Sequence, residues 1–175
     1  MLTPEQEKWI AGRRTDKNIS VVPYDPRTEE LFAKVAKMIR DVLGPDVLIE
    51  HDGASSLGIS GQDEIDVSVV ADKALFAEYI PKLESVFGPV KASYPDRSRF
   101  EVKEEGKKID LKIIDATHPN YLRSNIFKAY LRAHPQDLER YRILKEQSNG
   151  MSVKEYYRVK TEFINDILIK EGEVL

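Results

Sequence analysis

Cysteine is absent from the 175 residues, and histidine occurs only three times. The first absence excludes disulfide frameworks, iron–sulfur ligation, cysteine zinc sites and thiol nucleophiles. The second leaves too few imidazoles for a His-rich metal centre. Glycine and proline number nine each, too few for a collagen-like or disordered chain. No apolar run approaches the ~20 residues of a membrane span. The charged start, Met1-Leu2-Thr3-Pro4-Glu5-Gln6-Glu7-Lys8, carries no apolar stretch of a secretory signal. These absences predict a cytoplasmic chain with no membrane partner. What is present suits one folded domain: 41% hydrophobic and 33% charged residues, enough to bury one sizeable core.

The formal net charge of −3 argues against a general nucleic-acid coat. Its distribution is uneven. Asp41–Glu78 carries nine acids against one base, Lys73, whereas His118–Lys160 carries nine bases against four acids. An acidic centre with a basic C-terminal part suits a cation bound together with an anion, such as a metal with a polyphosphate. The bland alternative is ordinary solvated helix faces.

Along the chain, Thr3-Pro4-Glu5-Gln6 reads as a helix start. Ile19–Val22 is a short β-branched run stopped by Pro23. Thr28–Leu43 has apolar residues at 31, 32, 35, 38, 39 and 42, a helical period ended by Gly44-Pro45. Val47–Glu50 reads as a strand, His51–Gly61 as a small-residue loop, and Glu64–Val70 as a second strand. Lys73–Phe87 is helical, with an interruption expected near Pro81. Val90–Tyr94, Arg99–Lys103 and Ile109–Ile114 read as three more strands, the last two joined by a turn at Glu105-Gly106. From Pro119 the period is helical, broken at Asn149-Gly150, and Ser152-Val153-Lys154-Glu155 is a capping box that opens a last helix.

Glu64-Ile65-Asp66 is the centre of the chemistry. On a strand, residues i and i+2 share a face, so Glu64 and Asp66 project two carboxylates from one side, ahead of the apolar Val67, Val69 and Val70. A divalent cation, Mg²⁺ or Mn²⁺, is the usual reason for such a pair. Asp110 opens a later strand and adds a third acid, able to hold a second metal or take a proton from an attacking hydroxyl. Gly53-Ala54-Ser55-Ser56 precedes the pair, and its backbone N–H groups and hydroxyls could cradle a phosphate; a plain turn is the alternative. Lys160, Lys145 and Arg132 are candidate phosphate partners, against the alternative of solvated or snorkelling side chains. His51 reads as a hydrogen-bonded structural residue.

The small-residue loop, the acid-x-acid pair and the third acid look like the nucleotidyltransferase superfamily. Within it, the chain resembles the GrpB-like family from about Val21 onward. The resemblance is carried by Val22-Pro23-Tyr24-Asp25-Pro26, Ile49-Glu50-His51-Asp52-Gly53, Ile65-Asp66-Val67, Phe127-Lys128-Ala129-Tyr130-Leu131-Arg132-Ala133-His134-Pro135, Tyr141-Arg142-Ile143-Leu144-Lys145 and Lys160-Thr161-Glu162-Phe163-Ile164. It implies a nucleotidyltransferase-like fold and a transfer activity. Ala54 stands where the family usually has Ser, Gln62-Asp63 where it has Lys-Pro, Glu64 where it has an apolar residue, and Asp110-Leu111-Lys112 where it has His-Leu-His. The departures run toward the three-carboxylate pattern of active transferases.

The expectation is therefore one α/β (α+β) domain, a mixed β-sheet flanked by helices over residues 19–117 with a helical extension over 118–170. The expected function is Mg²⁺-dependent transfer of a nucleoside monophosphate from an NTP to an acceptor. In it Glu64, Asp66 and Asp110 serve as catalytic and metal residues, and Gly53, Ser55, Ser56, Lys160, Lys145 and Arg132 bind the nucleotide. The alternative is a non-catalytic nucleotide- or phosphometabolite-binding module of the same fold. The two part on whether the three acids converge within one metal's reach.

Overall fold

The computed structural model describes residues 1–175. In chain order the elements are α1 (Pro4–Ala11), α2 (Arg27–Leu43), β1 (Leu48–Asp52), β2 (Glu64–Ala71), α3 (Phe76–Phe87), β3 (Ala92–Tyr94), β4 (Arg97–Glu104), β5 (Lys107–Asp115), α4 (Pro119–Ala133), α5 (Pro135–Gln147) and α6 (Val153–Lys170). They fall into two compact bodies. An α/β body comprises Tyr24–Ile59 and Asp63–Leu122, and a helical body comprises Met1–Pro23, Ser60–Gln62 and Arg123–Leu175. No helix is long and apolar enough to cross a membrane.

The α/β body is built on a five-stranded mixed sheet in the order β1-β2-β5-β4-β3. Only β2 and β5 pair in parallel. Strand alternation sorts the side chains. Ile65, Val67, Val69, Ile109, Leu111, Ile113 and Phe100 point to one face and are fully buried. Leu31, Val35, Ala36 and Ile39 of α2 and Leu83 and Phe87 of α3 join the same core. Full burial of each large aliphatic side chain contributes about 1.5–3 kcal/mol, so this face fixes the register. A one-residue slip of β2 would drive Glu64 and Asp66 into the core.

Two readings of the sequence change in the fold. Lys73–Phe87 is a single 3₁₀ turn, Lys73–Leu75, followed by α3, which runs through Pro81 without a break. Ile19–Val22 is flanked by isolated bridges, Asn18 to Ser152 and Val22 to Gly61, rather than joining the sheet. The β4–β5 turn has positive φ at both Glu105 (50°) and Gly106 (82°), the twist that matches two-residue hairpins.

In the helical body both outer helices carry capping boxes, Thr3 with Gln6 and Ser152 with Glu155. α1 lies on α6, where buried Asn165 donates to Gln6 Oε1 (2.7 Å) and Met1 O (2.8 Å) and accepts from Gln6 Nε2 (3.0 Å). Phe127, Tyr141 and Phe163 form an aromatic cluster, with Phe127 edge-on to both rings and Tyr141 stacked on Phe163.

Candidate functional site

The second face of the sheet is polar, and the register writes it out in rows. Asp52, Asp66, Asp110 and Glu101 stand side by side across β1, β2, β5 and β4. The next row is Glu50, Ser68, Lys112 and Arg99, and the row on the other side is Glu64, Lys108 and Lys103. Glu64, Asp66 and Asp110 thus share a face, and Asp66 and Asp110 are direct register partners. Asp52 joins them and was not singled out from the sequence. Its signal was available: it stands two residues after Glu50 at the end of a strand, directly before Gly53.

Cations interleave with these acids. Arg99 Nε donates to Asp110 Oδ1 at 2.5 Å and Lys108 Nζ to Glu64 Oε2 at 2.7 Å. Asp52, with only 6% of its side chain exposed, accepts from the Ser68 hydroxyl and has Lys112 Nζ at 3.4 Å. A carboxylate so far from water needs such partners. Glu101 accepts from Lys91 Nζ at 2.9 Å, and that bond holds its carboxyl below the usual range. The Asp110 bond raises the Arg99 guanidinium further above its ordinary value. Burial alone would lower Lys108, but the hydrogen bond and charge of Glu64 outweigh it and hold the ammonium above its ordinary value.

The acids share a face without forming a metal cluster: no group of three or more His, Asp or Glu side chains is gathered closely enough to hold a metal ion. The physical reason is visible for Glu64, Asp110 and Asp52, each of which is turned to its own lysine or arginine. As folded, this donor set does not fit a preformed Mg²⁺ site.

The loop that follows β1 is shaped by Gly53. Its φ is +70°, and a Cβ there would lie 1.9 Å from Asp66 Oδ2, so only glycine lets the backbone pass the carboxylate. Beyond it, Ser55–Leu57 forms a 3₁₀ turn. Both hydroxyls proposed to cradle a phosphate are engaged within the protein. Ser55 Oγ lies 2.9 Å from His51 Nε2, and Ser56 Oγ donates to the Gly53 carbonyl at 2.9 Å.

The remaining candidates belong to the helical body. Lys145 is buried on α5, with Nζ 3.2 Å from the Tyr156 hydroxyl and 5.1 Å from the centre of the Tyr141 ring. Lys160 Nζ on α6 lies over the rings of Tyr156 (5.8 Å) and Tyr157 (5.6 Å). Arg132 is exposed in the last turn of α4, where a cation suits the helix dipole. Lys128, which was not singled out as a site residue, is buried on α4.

Comparison with known proteins gives this geometry a setting. The family described as GrpB protein matches residues 18–170. UPF0157 protein BH1888 of Halalkalibacterium halodurans is 32% identical over 158 residues, covering 86% of this chain and 81% of that protein. Among solved structures, the conserved protein GrpB from Enterococcus faecalis superimposes with a TM-score of 0.61 at 21% identity, over 87% of this chain and 99% of that one. A weaker likeness, TM-score 0.46 at 14% identity, is to a cytoplasmic RNA terminal U-transferase, over 77% of this chain and 43% of that one.

Proposed function

This chain belongs to the GrpB family, and from that premise we propose that the polar face of its sheet binds a nucleotide or phosphorylated metabolite by the phosphate. The observation that carries the reading is the interleaving of Arg99, Lys108 and Lys112 with carboxylates on one half-exposed face. Between 35% and 42% of each cationic side chain is exposed. A phosphate can take the place of a carboxylate as their partner, and Arg99 offers it a planar fork. The carboxylates hold the cations in place when the ligand is absent.

A second reading is Mg²⁺- or Mn²⁺-dependent transfer of a nucleoside monophosphate from an NTP to an acceptor. It is favoured by the register pairing of Asp66 with Asp110 and by Glu64 on the same face. It requires Glu64 and Asp110 to give up Lys108 and Arg99 before any cation could be held.

Thermal-shift titration with ATP and with pyrophosphate, each in excess Mg²⁺ and in excess chelator, decides between them. The binding reading expects stabilisation in both conditions, about 2.7 kcal/mol at a hundredfold excess over Kd. Arg99→Gln or Lys108→Gln should weaken binding about tenfold, the scale of one hydrogen bond to a charged group. Stabilisation only with the metal, abolished by Asp66→Asn and accompanied by pyrophosphate release from an NTP, would transfer the conclusion to the second reading.

A further inference from the structure

His51 does not face the acids. Its register partner is Val67, so its side chain lies on the opposite side of the sheet from Asp52 and Asp66. There the imidazole stacks on Phe32 of α2, with ring centres 4.6 Å apart and planes 11° from parallel. Its Nε2 is 2.9 Å from Ser55 Oγ, and its Nδ1 is 3.7 Å from Glu29 Oε1. Glu29 Oε1 in turn accepts from the Tyr24 hydroxyl at 3.4 Å. All of these residues belong to the α/β body. A carboxylate beside Nδ1 favours the tautomer with its proton there, which leaves Nε2 to accept from the Ser55 hydroxyl. Nucleophile, base and orienting acid come from a loop, a strand and a helix, and stand in the order that activates a serine.

We infer that Ser55 is a nucleophile, with His51 as its general base and Glu29 as the positioning residue, for acyl transfer from a small uncharged carboxylic ester. Ser55 Oγ bonds to the ester carbonyl carbon while its proton passes to His51 Nε2. Collapse breaks the ester C–O bond, and the departing alkoxide takes that proton as the alcohol. Water then attacks the acyl-serine by the same route, releasing the acid and restoring the hydroxyl. The backbone N–H of Ser56, next after the nucleophile, is the donor this proposal assigns to the developing oxyanion. His51 and Ser55 meet on the side of the sheet away from Asp52 and Asp66, against the Phe32 ring, and this apolar neighbour suits an uncharged ester. Ser55 retains only 6% exposure, which restricts the acyl group to a small one.

The test is labelling of the full chain with a small alkyl fluorophosphonate, read by peptide mass spectrometry. In that reaction the Ser Oγ–P bond forms, P–F breaks, fluoride leaves and the hydroxyl proton passes to His51. It requires no nucleotide binding, so its result is independent of the phosphate reading. An adduct on Ser55 is expected, with a rate that rises with pH as the imidazole loses its proton. Ser55→Ala should carry none. His51→Gln should slow labelling at least a hundredfold, the scale of lost general-base help, and flatten the pH rise. Glu29→Gln, on the exposed side of α2, should leave the melting temperature unchanged and slow labelling about tenfold; it decides the matter if His51→Gln does not fold. No adduct on Ser55 in the folded wild type, or a labelling rate that Glu29→Gln leaves unchanged, overturns the inference.

Discussion

Gly53 meets two constraints at once, a left-handed backbone and a carboxylate where a Cβ would lie. Gly106 meets only the first: its φ is +82°, with nothing within 4 Å of a built Cβ. The two separate conformational strain from displacement. Gly106→Ala should cost about 1–2 kcal/mol, the left-handed penalty of an L-residue. Gly53→Ala should cost more, about 3 kcal/mol, because Asp66 must also move. Urea unfolding of both variants at neutral pH checks the difference. At this scale the glycine's importance is legible from the chain, but its reason is not. Asp66 lies thirteen positions on, and only the pairing of Asp52 with Asp66 brings it back. Ser55 is the opposite case. Its position two residues after Gly53 reads as a phosphate loop, while its partner His51 and the distant Glu29 become visible only when α2 docks beside β1.

Between elements, Asp115 fastens the end of β5 to the turn after β2. One carboxylate oxygen accepts from the Thr117 N–H and hydroxyl, and the other accepts from the Lys73 N–H at 2.9 Å. The Thr117 side-chain bond, then the two backbone bonds, lower its pKa to about 2. Since the unfolded carboxyl titrates at about 3.9, its contribution is complete above that pH. It is lost as the pH falls toward 2. Asp115→Asn should therefore lower the urea midpoint at pH 7 and make it less sensitive to acid between about pH 4 and pH 2; an unchanged acid slope would contradict the clamp. The strands themselves were legible, because alternation and β-branching on β2, β4 and β5 agree with burial on one face. Pro81 was misleading. An internal proline removes one helix hydrogen bond, but the buried Phe76, Leu83 and Phe87 hold α3 together across it.

Over the whole chain, charge divides as the bodies do. The α/β body holds 19 acids and 13 bases, and the helical body 11 acids and 14 bases. The asymmetry read from the sequence survives, but its boundary does not follow chain order. α1, at the start of the chain, belongs with α6 near its end, and no local pattern announces that. Deleting residues 1–12 tests the grouping. It removes fully buried Ile10 and leaves the Asn165 amide, 1% exposed, without its Gln6 and Met1 partners. The loss should reach about 3 kcal/mol or more, from one large aliphatic side chain and at least one unpaired buried polar group. Calorimetry of the truncated chain checks it.

The parallel pairing of β2 with β5 also governs how the protein is made. Glu64 and its neighbour Lys108 are 44 residues apart, whereas β4 and β5 are joined by a two-residue turn. The hairpin closes locally and fast, while the central pair waits for a long loop to close. On the ribosome, β2 therefore emerges with an open edge, and that edge stays unpaired until β5 has been synthesised. At ~5–20 residues per second that interval lasts several seconds. During it, the apolar Ile65, Val67 and Val69 have no partner strand on that side. The acids that alternate with them make β2 a poor template for another chain's edge, so Glu64 and Asp66 protect the nascent strand before they have any ligand to meet.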